Sequence, residues 1–221
     1  MDNRSAKPLV KIGGSLVYQR DGETLKELLA VLGKAARETP LRLALVPGGG
    51  PFADGVRYWS AVLGLGQEAA HFMALKAMDQ YGYVLHHFLP GSRVLEISGL
   101  RRPGQAFPPG VPTVLLCASF MRKVPPEELP RSWEATSDSV AAYLARRLGA
   151  DRLVLVKPGC PSAIPPAELV DPCFPELVPP GTDAWVVQGT DPELVLRAVL
   201  GQAEEGRGAV RCPPGGRGAA W

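Results

Sequence analysis

Excess charge of either sign is missing: the 221-residue chain carries 24 lysines and arginines against 22 acids, a formal net charge of +2. No Lys/Arg-rich run or aromatic-interleaved basic stretch occurs, which excludes the usual footprint of a nucleic-acid binder. The pairs Arg101-Arg102 and Arg146-Arg147 are read as solvated. Long apolar runs are missing too. No segment approaches the roughly 20 residues of a membrane span, and no apolar leader core precedes Pro8. Four cysteines, Cys117, Cys160, Cys173 and Cys212, lack any CxxC spacing, and His71, His86 and His87 supply no ligand set. A zinc site is therefore not expected. The expectation is a cytoplasmic protein with reduced thiols, no membrane partner and no nucleic-acid partner.

What remains is the ordinary make-up of a globular chain, 46% hydrophobic and 21% charged, long enough for one α/β domain or two small ones. Residues 8–12 form an apolar strand that ends in Gly13-Gly14. Residues 23–37 put Leu25, Leu28, Leu29, Leu32 and Ala36 on one helical face. Residues 41–46 are an apolar run, broken only by Arg42, that stops at Pro47 and three glycines. Helices are predicted over 52–63 and 68–89, the second with Ala70, Met73, Ala74, Ala77, Met78 and Tyr81 at helical spacing. Strands follow at 93–97 and 111–116, then a proline-rich irregular segment over 121–133. Ser137 or Asp138 caps a helix that reaches Leu148 and stops at Gly149. Residues 153–156 and 184–188 are further strands, and 192–200 a last helix. This alternation predicts an α/β fold with a mostly parallel sheet covered on both faces. The domain is expected over 1–200, with 201–221 a Gly/Pro/Arg-rich, frayed tail.

Three motifs sit where a strand should end and a helix begin. They are Lys11-Ile12-Gly13-Gly14-Ser15, Pro47-Gly48-Gly49-Gly50-Pro51 and Thr136-Ser137-Asp138-Ser139. Glycine turns leave backbone N–H groups facing anionic oxygen, and a helix N-terminus adds its positive end. Lys11 lies in a buried-looking strand, where an unpaired ammonium is costly. It is read as reaching over the turn to phosphate oxygens, the alternative being a snorkelling strand-end lysine. Gly48-Gly49-Gly50 permits close approach of a ligand to the main chain, or simply a tight turn. Asp138 is read as both a helix cap and the carboxylate that holds the lysine in place. Asp79 and Tyr81 face either an acceptor pocket or the core. Gly48, Gly50 and Ala53, with Glu68, fit a dinucleotide fingerprint only weakly, because Glu68 precedes a helix instead of ending a strand. A Walker A sequence is absent from the chain.

In this order the motifs resemble those of the amino acid kinase superfamily, over residues 8–200. The resemblance implies a three-layer αβα sandwich with a central, mainly parallel sheet, ATP and Mg²⁺ as cofactors, and a homo-oligomer. It implies that Lys11 contacts the transferred phosphoryl group and Asp138 organises the active-site lysines, with Gly13, Gly14 and Ser15 around the phosphates. Gly48, Gly49 and Gly50 would hold the acceptor. The short length and the stretches Phe52-Ala53-Asp54, His71-Phe72-Met73-Ala74 and Ala77-Met78-Asp79 look like a small branch similar to the phosphate kinases of methanofuran-type cofactor synthesis. That branch implies an aminomethylfuran phosphomonoester as the small-molecule acceptor, with Asp54 or Asp79 for its ammonium. One departure stands out. Many members carry an acidic Thr-Asp-x-x-Gly turn beside the nucleotide, where this chain has Lys157-Pro158-Gly159. Either Lys157, with Gly159, serves as a second phosphate-binding element, or nucleotide binding is altered. Rival expectations are another acceptor in the same fold (a nucleoside monophosphate or a carboxylate), a non-catalytic storage subunit, and a nicotinamide-dependent oxidoreductase.

Overall fold

The alternation of side chains along a strand decides the layers. In β1 (Pro8–Ile12), Leu9 faces one core while Val10 and Ile12 face the other. The computed structural model describes residues 6–206 and 208–212. Among them seven strands form one sheet in the order β3-β4-β2-β1-β5-β6-β7. The other strands are β2 (Ala44–Pro47), β3 (Arg93–Glu96), β4 (Thr113–Leu116), β5 (Arg152–Lys157), β6 (Asp183–Gln188) and β7 (Ala209–Cys212). All neighbours are parallel except β6 and β7.

The helices are α1 (Glu23–Glu38), α2 (Gly50–Leu63), α3 (Gln67–Phe88), the short α4 (Ala118–Met121), α5 (Ser137–Leu148), the short α6 (Pro166–Leu169) and α7 (Phe174–Leu177), and α8 (Pro192–Val199). The apolar stripe of α1 is buried as its spacing predicts, and packs with Val195 and Val199 of α8 on the Val10 face. Helix α5 packs Val140, Ala141 and Leu144 on the Leu9 face. Helix α3 serves both cores, with Leu75 and Met78 in one and Tyr81 and Leu85 in the other. The three-layer α/β expectation is met. Met73, expected on the buried face of α3, is instead 39% exposed.

From β1 the chain lays down β2 beside it, then β3 at the far edge and β4 between β2 and β3, and crosses back to place β5 and β6 on the other side of β1. The strand order therefore reverses around β1, and its C-terminal edge is where open α/β sheets place ligands. The turns after β1, β2 and β5 open on that edge, and the Thr136–Ser139 motif, the start of α5, brings Asp138 to Lys11 and Lys157 there. One expectation is corrected. Residues 209–212 are no frayed tail, because β7 pairs antiparallel with β6, Val186 opposite Val210. The rest of the expected tail, 213–221, lies outside the described residues.

Candidate active site

Parity brings two lysines to one face. Lys11 follows Leu9 and Lys157 follows Leu155 in the alternation that points toward α5, and Lys11 is in register with Leu155 across the β1–β5 ladder. The first turn of α5 delivers Asp138 between them, 3% exposed. Lys157 Nζ donates to Asp138 Oδ2 at 2.6 Å, and Lys11 Nζ stands 2.8 Å from Oδ1, an ion pair off the hydrogen-bonding direction. Two ammonium groups thus flank one carboxylate, a local surplus of positive charge at the sheet edge. Burial alone pushes the Asp138 carboxyl up, but Lys11 and Lys157 outweigh it and hold the group below the usual carboxylate range. Burial first, then repulsion by Lys11, keeps the Lys157 ammonium below its ordinary value against the pull of Asp138.

The glycine turns bear on each other. Gly13 N donates to Val156 O at 2.9 Å and Gly48 N to Ile12 O at 2.8 Å. A Cβ on Gly14 would stand 2.0 Å from Gly50 N, and one on Gly48 2.5 Å from Gly14 N. Glycine is required there by the contact of backbone with backbone, before any ligand is considered. Gly50 also has φ +55°, the left-handed region that glycine tolerates best. Ser15 is exposed at the mouth of the first turn. Gly159 lies in the turn after β5, where a Cβ would touch Ile164 at an ordinary 3.6 Å.

The other expected residues fare differently. Asp138 is not the cap of α5: Thr136 holds that position without a side-chain cap bond, and the lysines occupy the Asp138 carboxylate. The cap comes from Asp171, which the sequence reading missed. Its buried carboxylate accepts Thr136 N at 2.9 Å, Thr136 Oγ1 at 2.8 Å and Ser139 N at 3.0 Å, along with Ser139 Oγ and Phe174 N. Asp171 so fixes the turn that carries Asp138. Asp79 accepts Cys117 N at 2.8 Å and also Ala118 N, which ties its carboxylate to the end of β4. Asp54, exposed on α2, accepts Tyr18 Oη and Arg57 Nη1, each at 2.8 Å. His71 is buried and hydrogen-bonds the Ser132 backbone. Gly49 and Ser137 border a small pocket that Arg57, His71 and Trp133 help to line.

No family model matches the chain. It is 28% identical over 213 residues to the [5-(aminomethyl)furan-3-yl]methyl phosphate kinase of Methanocaldococcus jannaschii, covering 88% of this chain and 93% of that one. Among solved structures it is similar to the uridylate kinase of Archaeoglobus fulgidus, with a TM-score of 0.65 at 18% identity over 89% of this chain and 97% of the other. The UMP kinase of Ureaplasma parvum gives 0.59 at 15% identity, over 90% and 96%. These likenesses bear out the fold and the resemblance to the amino acid kinase superfamily drawn from the three motifs.

Proposed function

We propose that this chain of the amino acid kinase fold is an ATP-dependent phosphotransferase whose acceptor is a small phosphomonoester. The specific candidate is [5-(aminomethyl)furan-3-yl]methyl phosphate, converted to its diphosphate in methanofuran-type cofactor synthesis in the cytoplasm. The carrying observation is the buried Asp138 carboxylate held between Lys11 and Lys157 at the reversal point of the sheet. A surplus ammonium in a low-dielectric site calls for an anion, and a transferring phosphoryl group is such an anion.

Phosphates fit the residues present: two lysines, Ser15 and the backbone of Gly13 and Gly14 for the donor, with Gly159 beside Lys157. The Gly48–Gly50 turn faces them as the acceptor's anchor. Bound ATP with Mg²⁺ supplies the phosphoryl group and the metal charge that helps neutralise it. Lys11 neutralises charge that develops on the transferring oxygens, Asp138 keeps both ammonium groups from splaying apart, and Asp171 keeps Asp138 in place. No covalent intermediate is needed, since positioning and charge supply the catalysis. The engagement of Lys157 with Asp138 favours its reading as a second phosphate-binding cation. A homo-oligomer is part of the proposal, supported by exposed Tyr58, Trp59, Val62 and Leu63 on α2.

The test is ATP consumption with Mg²⁺ and the aminomethylfuran phosphate. Lysine-dependent formation of a diphosphate is expected, with Lys11→Ala lowering kcat about 10²- to 10³-fold. Equal turnover by wild type and Lys11→Ala would sink the assignment.

A further inference from the structure

The pocket beside the glycine turns has an outer wall of unusual construction. Helix α2 supplies Arg57, α3 supplies His71 and Met78, and the irregular segment before α5 supplies Trp133. That segment is fastened at three consecutive residues. Arg131 pairs with Glu68 and lies 5.2 Å over the Phe72 ring. His71 hydrogen-bonds the Ser132 backbone, and the Arg57 guanidinium lies 4.8 Å over the Trp133 ring. Arg57 is itself held by Asp54, which Tyr18 also binds. The wall is thus tied to the loop that follows the Lys11 turn. At partly exposed positions each such contact contributes modestly, and together they set where Trp133 lies.

The space enclosed is small, about 50 Å³. That is room for roughly three to five waters. A phosphate anchored at Gly48–Gly50 would have this space beside it for its organic part, because Gly49 lines both the turn and the pocket, with Ser137 of α5 on the facing wall. The walls facing it are largely apolar and aromatic, and burial holds the His71 imidazole below its ordinary value.

We propose that this pocket selects the acceptor by size: it admits a phosphomonoester of one small ring or short chain, and Trp133, clamped by Arg57, turns away nucleoside monophosphates. The inference rests on the phosphotransferase reading and adds the residue that sets specificity. It also separates this chain from the UMP kinases whose fold it shares.

Calorimetric titration without ATP tests the selection, using benzyl phosphate as a single-ring probe and UMP as the nucleoside probe. Wild type is expected to bind benzyl phosphate at least about tenfold more tightly than UMP. Trp133→Ala should narrow or reverse that ratio by at least about tenfold. If Trp133→Ala does not fold, Ala74→Leu, which fills the pocket from α3, should lower benzyl phosphate affinity by at least about tenfold. Equal binding of the two probes by wild type, binding of neither, or an unchanged ratio in the folded variant overturns the proposal. Transfer from ATP is measured separately with benzyl phosphate. Selective binding without any transfer would sink the phosphotransferase reading and leave the size filter standing.

Discussion

Lys11 and Asp138 meet 2.8 Å apart with both side chains more than nine-tenths buried, one from the central strand and the other from the first turn of α5. Their contact, completed by Lys157, closes the sheet edge over the Leu9 core. Replacing Asp138 by Asn keeps the shape and removes the charge between two ammonium groups. Removing one partner of a buried ion pair costs about 3–5 kcal/mol, and loss of that size is expected in urea unfolding of Asp138→Asn. In the double variant Lys11→Met/Asp138→Asn the stranded repulsion between the lysines is gone. Its loss should fall short of the sum of the single losses by about 0.5–3 kcal/mol. Strict additivity would mean that the pair is not energetically coupled.

The same cluster sets a pH dependence of known sign. The folded Asp138 carboxyl titrates below its unfolded value of about 3.9. Its contribution is complete above that value and is lost as pH falls through the lower, folded one. Lys157 is also shifted down, so its folded form gives up a proton at lower pH than a solvated lysine. Through that alkaline window the unfolded chain holds the extra proton, and the stability penalty of the buried ammonium is relieved as pH rises. Nucleotide binding should move the opposite way. The KM for ATP is expected to climb below the ordinary lysine range as Lys157 loses its charge. Lys157→Arg should push that climb to higher pH, because a guanidinium stays protonated throughout. A pH profile of KM that is the same in both proteins would remove Lys157 from the phosphate site.

Much of this was legible in the chain, and the reasons differ by residue. The stripe of α1 repeats at helical spacing and is buried throughout, since periodicity reports directly on which face a helix turns inward. Lys11 announced itself as a charge inside an apolar strand, an anomaly with few physical resolutions. Asp171 gave no such signal. It sits in an irregular stretch, and its partners at Thr136 and Ser139 are visible only once the chain has folded. Asp138 misled because Asp in the first turn of a helix is so often explained by the helix's own amides. Strand β7 is four residues set among glycines and prolines, and the edge of β6 supplies what its own sequence lacks. Trp133 belongs to the same class as Asp171: its importance comes from Arg57, which is remote in sequence.

The contact between the two glycine turns yields the sharpest contrast. At Gly14 an added methyl meets the Gly50 backbone nitrogen at 2.0 Å, and neither backbone can yield without opening the turn proposed to anchor a phosphate. At Gly55, inside α2, an added methyl meets nothing within 4 Å. Gly55→Ala should stabilise the protein by roughly 0.5–1 kcal/mol, the usual gain from replacing glycine in a helix. Gly14→Ala should destabilise it by about 1–3 kcal/mol, the range for forcing extra volume into packed structure. It should also lower kcat, because Lys11 and the Gly48–Gly50 turn can no longer keep their separation. Thermal unfolding of the two variants, read beside their ATP turnover, checks both signs at once. If Gly14→Ala melts with the wild type and turns over normally, the turns do not hold each other, and the glycines there answer to the ligand alone.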